Sequence, residues 1–163
     1  MLPISRQLTA VIAEAERVEL GTPLLAAAEA ALQIAENVAT ALSGFVETPA
    51  RVSARDERRI ADVLHYIEAR AGEPLALDAL AGLARMSKYH FLRTFRRATG
   101  MSPYQFLLSI RMRRAALRLA TTRETIASIA FDAGFGDLST FNHRFRDLFG
   151  MSPSSYRRCS QSV

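Results

Sequence analysis

The feature that most constrains this chain is a self-similarity at an offset of 50 residues. Phe91-Leu92-Arg93-Thr94-Phe95-Arg96-Arg97-Ala98-Thr99-Gly100-Met101-Ser102-Pro103 aligns with Phe141-Asn142-His143-Arg144-Phe145-Arg146-Asp147-Leu148-Phe149-Gly150-Met151-Ser152-Pro153, and Gly-Met-Ser-Pro closes both copies. A glycine just past a helix lets the chain turn left-handed and stop, and a serine before a first-turn proline starts the next helix without losing an intrahelical hydrogen bond. A short apolar helix, a turn and a capping residue (Ser87 or Asp137) precede each copy. That order is the signature of a helix-turn-helix. Phe91, Phe95, Phe141 and Phe145 are expected to anchor each second helix, because residues four apart share a helix face. One such helix is also what an ordinary surface helix looks like. Two joined by a helix of about sixteen residues, roughly 24 Å long, suit consecutive major-groove segments on one face of DNA.

The pattern around the repeat is helical throughout. Ile60, Val63, Leu64 and Ile67 make the inward face of a helix that starts at Ser53 with Asp56 and Glu57 and ends near Gly72-Glu73-Pro74. A short helix over 78–84 follows, then one capped by Ser87 to about 99, and a long one from Ser102-Pro103 to 119. Thr121 and Glu124 have capping-box spacing before a short helix over 125–133, which Gly134 ends. Asp137 caps 138–148, Gly150 ends it, and Ser152-Pro153 begins a last short turn containing Tyr156. Nothing in 56–158 alternates with period two, so no sheet of consequence is expected.

Upstream, 5–20 and 23–42 read as two helices, with Thr22-Pro23 as cap and first-turn pair. In the second, Leu24, Ala27, Ala28, Ala31, Leu32, Ala35, Val38, Ala39 and Leu42 form an apolar stripe. Its cover is the first helix, the DNA-binding region, the same hairpin of a second subunit, or another domain or protein. The expected fold is all-α: two helix-turn-helix subdomains joined by a long linking helix and preceded by a helical hairpin. The expected domains are 1–55, a hairpin and linker for dimerisation or packing; 56–158, the double helix-turn-helix; and 159–163, a polar tail.

Charge follows the same division. Residues 1–55 carry four Arg against six Glu, whereas 56–163 carry seventeen Lys plus Arg against ten acids, giving −2 and +7. A basic region of this kind favours a polyanion as partner, although basic domains also bind RNA or membranes. Cys159 is the single cysteine, so neither an internal disulfide nor a thiolate metal cluster can form. The most apolar stretch, 24–35, is broken by Glu29 and Gln33 and is too short to span a bilayer, and the N-terminus lacks signal-peptide character. No membrane association is expected, and the cytoplasm is the expected compartment. His65, His90 and His143 have no metal-ligand spacing, and no glycine-rich phosphate loop follows a strand. Neither catalysis, a metal nor a cofactor is expected.

The stretch 60–156 resembles the DNA-binding region of the arabinose-regulator (AraC/XylS) family. The resemblance rests on Ile126-Ala127-Ser128-Ile129-Ala130, Gly134-Phe135, Ser139-Thr140-Phe141, Phe145, Gly150-Met151-Ser152-Pro153 and Tyr156-Arg157. The first unit matches at Leu80-Ala81, Ser87, Tyr89, Phe91, Arg93, Phe95, Gly100 and Ser102-Pro103, and the linking helix at Arg111, Ala115 and Leu119. The resemblance implies that both second helices enter adjacent major grooves of double-stranded DNA. It also implies a regulator that turns transcription on or, less often, off, with RNA polymerase as a further partner.

Carried onto this chain, the groove-facing residues are Tyr89, Leu92, Arg93 and Arg96 in the first unit and Leu138, Ser139, Asn142 and His143 in the second. Arg93 is the first choice for reading a base, since a guanidinium donates two hydrogen bonds to the acceptor edge of guanine. Its alternative is a salt bridge or phosphate contact. Tyr89 suits a thymine methyl, a phosphate or a structural role; Asn142 can pair with adenine; His143 suits a base, a phosphate or plain solvent. Lys88, Arg97, Arg144 and Arg146 are candidates for phosphate contact, which positions without selecting sequence. Arg111 matches a family position that braces helices and is not counted as a DNA contact. Family members often carry a sensory domain ahead of this region; the upstream residues here read as helical, and no effector can be read from them. The other functional class is a helical interaction or adaptor protein, in which 24–42 binds a partner and the basic region holds DNA weakly and without specificity.

Overall fold

In the computed structural model, residues 24–43 and 52–161 are described; the helix expected over 5–20 and most of the linker expected over 43–53 lie outside them. Eight helices occur among the described residues, with no strand: α1 (Leu24–Ser43), α2 (Ala54–Ala69), α3 (Leu77–Leu83), α4 (Lys88–Thr99), α5 (Pro103–Thr121), α6 (Ile126–Asp132), α7 (Leu138–Phe149) and α8 (Pro153–Gln161). Residues 24–43, 52–66 and 75–104 belong to one compact unit, and 67–74 with 105–161 to a second.

In the first unit the expected inward residues Ile60 and Val63 are buried, as are Leu75, Leu77, Leu80, Ala81 and Ala84 around α3. Phe91 and Phe95 of α4 are fully buried and meet edge-to-face with ring centroids 5.6 Å apart. A fully buried side chain of this size contributes about 1.5–3 kcal/mol through apolar area removed from water. Ser87 caps α4 by accepting from the His90 backbone N–H at 3.3 Å, and Gly100 (φ 77°) ends it, as the repeat leads one to expect. α1 packs on α3 with Leu25 buried. Its contact face is rotated from the predicted stripe: Ala31, Ala35 and Val38 are exposed, while Glu29, Leu32 and Gln33 are half-buried. Two polar side chains with specific partners lie on that face, and periodicity counts only apolar positions.

The second unit surrounds a core of Met112, Ala115, Ala116, Leu119, Ile129, Ala130, Ala133, Phe141 and Phe145. Aromatic rings run through it: Phe135 on Phe141 at 5.3 Å, Phe141 on Phe145 at 5.7 Å, and Tyr156 on both Phe145 and Phe149 at 5.4 Å. Asp137 caps α7 by accepting from the Thr140 N–H at 2.7 Å, and Gly150 (φ 71°) ends it. These hydrogen bonds favour the carboxylate and hold Asp137 below its usual range.

Two local expectations are corrected. The spacing of Thr121 and Glu124 is not a capping box. Thr121 is the last residue of α5 and its hydroxyl donates to the Leu117 carbonyl at 2.8 Å, while the cap of α6 is Thr125, which accepts from the Ser128 N–H at 3.1 Å. Glu124 is held instead by Arg118, which also binds Asp132 at 2.7 Å. Second, the expected last turn is a nine-residue helix that runs through Cys159 to Gln161, where a polar tail was expected.

Candidate nucleic-acid interface

The two helix-turn-helix bends solve the same problem with different residues. In the first unit the chain leaves α3 through Arg85 at φ 54°, and the Met86 N–H returns to the Ala81 carbonyl at 3.0 Å. In the second, Gly134 takes φ 83° and the Phe135 N–H returns to the Ala130 carbonyl at 3.1 Å. Arginine is tolerated in the first bend, but only glycine fits the second. An added Cβ at Gly134 would lie 2.9 Å from the Arg111 guanidinium carbon. Arg111 is buried and fixes the bend, donating to the carbonyls of Ala71 (2.6 Å), Glu73 (2.8 Å) and Gly134 (3.5 Å). These bonds give Arg111 the bracing part that the resemblance implied.

Each bend aims the helix that follows it. On α4, burial of Phe91, Thr94 and Phe95 leaves Tyr89 45% exposed and Leu92 and Arg93 half-buried, with Arg96 and Arg97 exposed. Tyr89, Leu92, Arg93 and Arg96 thus share one helix face at three- and four-residue spacing. Lys88 is exposed but binds Asp78 at 2.7 Å, an ion pair open enough to water to be exchanged for a phosphate. The Arg96 guanidinium is held by the Gln33 side-chain oxygen of α1.

On α7, Leu138, Ser139, Asn142, His143 and Arg146 are exposed beside the buried Phe141 and Phe145. His143 lies 3.5 Å from Asp147, a turn further on. By the repeat, Ser139, Asn142, His143 and Arg146 stand where Tyr89, Leu92, Arg93 and Arg96 stand on α4. Arg144 is half-buried, as its counterpart Thr94 is buried, so it lies nearer the packed face than the other candidate cations.

Sequence reasoning missed Glu29. It accepts from the Tyr104 backbone N–H at 2.7 Å at the start of α5. Burial raises its pKa from 4.5 to about 7, against the opposing pull of the Ser102 and Tyr104 hydrogen bonds and the Arg96 charge. The only sign in the sequence was that Glu29 and Gln33, four apart, interrupt an otherwise apolar helix.

Each unit therefore carries a helix-turn-helix whose second helix keeps a polar and basic face open, the construction of a double helix-turn-helix DNA-binding protein. Residues 80–159 match a family model described as a helix-turn-helix domain. The chain is 36% identical over 99 residues to the transposon Tn10 TetD protein of Escherichia coli, covering 61% of this chain and 72% of TetD. It is 33% identical over 101 residues to the regulatory protein SoxS of Escherichia coli K12, covering 62% of this chain and 94% of SoxS. It spans only about a third of the length of several other curated relatives. The crystal structure of the DNA-binding domain of AdpA, the global transcriptional factor, in complex with a target DNA matches with a TM-score of 0.60 and 30% identity, over 64% of this chain and 94% of that domain. The chain belongs to the AraC/XylS family and is a sequence-specific, double-stranded-DNA-binding transcription regulator.

Proposed function

We propose that α4 and α7 are the reading helices, each entering one of two adjacent major grooves. The observation that carries this reading is their common design. In both, paired phenylalanines are buried on one face, and the positions at 89, 92, 93 and 96, or 139, 142, 143 and 146, lie exposed or half-buried on another. Arg93 reads guanine through two hydrogen bonds, Tyr89 and Leu92 meet apolar base edges, and Asn142 reads adenine. Leu138 and Ser139 offer few donors, so the second half-site is read partly through DNA shape, with His143 adding a base or phosphate contact. Lys88, Arg96, Arg97, Arg144 and Arg146 bind phosphates and set the register.

The regulator acts in the cytoplasm, where it contacts RNA polymerase from its DNA site. Activation is its principal effect, as in the family generally. The exposed Ala31, Ala35 and Val38 of α1 are the positions through which a homodimer would form.

The test is competition binding of the full chain and of Arg93→Ala to a selected duplex and to duplexes with each base pair changed in turn. Arg93→Ala is expected to cost about 1–3 kcal/mol on the preferred duplex and to flatten discrimination at one base pair. Equal weakening on every duplex would show that Arg93 touches only phosphate. Wild-type binding without preference would favour the adaptor reading.

A further inference from the structure

Leu25, Glu29 and Gln33 recur every four residues on α1 and all face the first unit. Leu25 is buried, Glu29 accepts from the Tyr104 N–H at 2.7 Å, and Gln33 accepts from the Arg96 guanidinium. Arg96 is the last of the four groove-facing positions on α4, and its charge also attracts the Glu29 carboxylate. Where it is ionised, Glu29 on the docked α1 adds negative charge at the end of the helix that the groove reading brings toward phosphates. Two like charges competing for one guanidinium repel each other.

We infer that α1 is a built-in brake on the first reading helix: docked, it holds Arg96 on Gln33 and sets the Glu29 carboxylate where a DNA phosphate would arrive, so α1 must loosen as DNA binds. The inference rests on the reading of α4 as a groove helix. By linkage, whatever weakens α1 docking strengthens DNA binding, and DNA strengthens undocking by the same factor. Gln33 is half-buried and Leu25 keeps α1 seated, so removal of the Gln33 amide leaves the fold intact.

The experiment uses the full chain and a duplex selected by the wild-type protein. Gln33→Ala is expected to bind that duplex about threefold to tenfold more tightly, the worth of one released hydrogen bond. It is expected to have no effect in an Arg96→Ala background. Amide exchange across Leu24–Ser43 is expected to speed up when the duplex is added. Unchanged or weaker binding by Gln33→Ala, or α1 amides equally or better protected with DNA, overturns the brake and leaves the groove reading standing. A wild-type chain that selects no duplex overturns both.

Discussion

Arg111 and Gly134 depend on each other. The guanidinium fills the space a Cβ at 134 would take, and the glycine supplies both that space and a φ of 83°. Arg111→Ala leaves the carbonyls of Ala71 and Glu73 without a charged donor and is expected to cost about 3 kcal/mol or more in denaturant unfolding. Arg111→Lys is expected to recover little, because an ammonium cannot serve the fork of acceptors that a guanidinium reaches. Full recovery by lysine would show that only the charge matters.

Glu29 gives a second residue-scale prediction. Its pKa is raised on folding from 4.5 to about 7, so the folded state binds its proton more tightly than the unfolded chain does. The stabilisation that follows is fully present below about pH 4.5 and is lost as pH rises through about 7. Glu29→Gln keeps an acceptor for the Tyr104 N–H and removes the titration. The difference in thermal midpoint, variant minus wild type, is therefore expected to grow between pH 4.5 and 8. A constant difference would contradict the burial of this carboxylate.

At the scale of elements, the caps were the most legible part of the fold. Ser87, Asp137, Gly100 and Gly150 act where local sequence put them, because a cap needs only its own first or last turn. The failure at Thr121 has the opposite cause. Its hydroxyl found a carbonyl one turn back, and Glu124 was claimed by Arg118, a partner six residues away that no spacing rule ranks above a capping box. The two bends also differ in a way the repeat conceals, since Arg85 and Gly134 share a left-handed backbone but not a residue type. Left-handed φ costs a side chain about 1–2 kcal/mol, part of which glycine loses again in backbone entropy. Arg85→Gly is accordingly expected to raise stability by about 0.5–1 kcal/mol in urea titration, and a loss would mean that the Arg85 side chain makes a compensating contact.

For the whole molecule, the repeat located the second helix of each helix-turn-helix and its buried phenylalanines, because 3.6-residue periodicity determines which face of a helix packs inward. It could not show that α1 reaches Arg96, since that contact joins residues 63 apart through two polar side chains. Nor are the two halves alike: Arg93 and Tyr89 on one side stand against His143 and Ser139 on the other. A single chain should therefore read an unpalindromic element. Selection of bound duplexes from a random pool by the purified chain, followed by sequencing, tests this most directly. The expected result is an asymmetric element with two preferred blocks about one helical turn, or 10–10.5 bp, apart. Recovery of a single block, of a palindrome, or of nothing above bulk DNA would contradict the claim that α4 and α7 each read a groove.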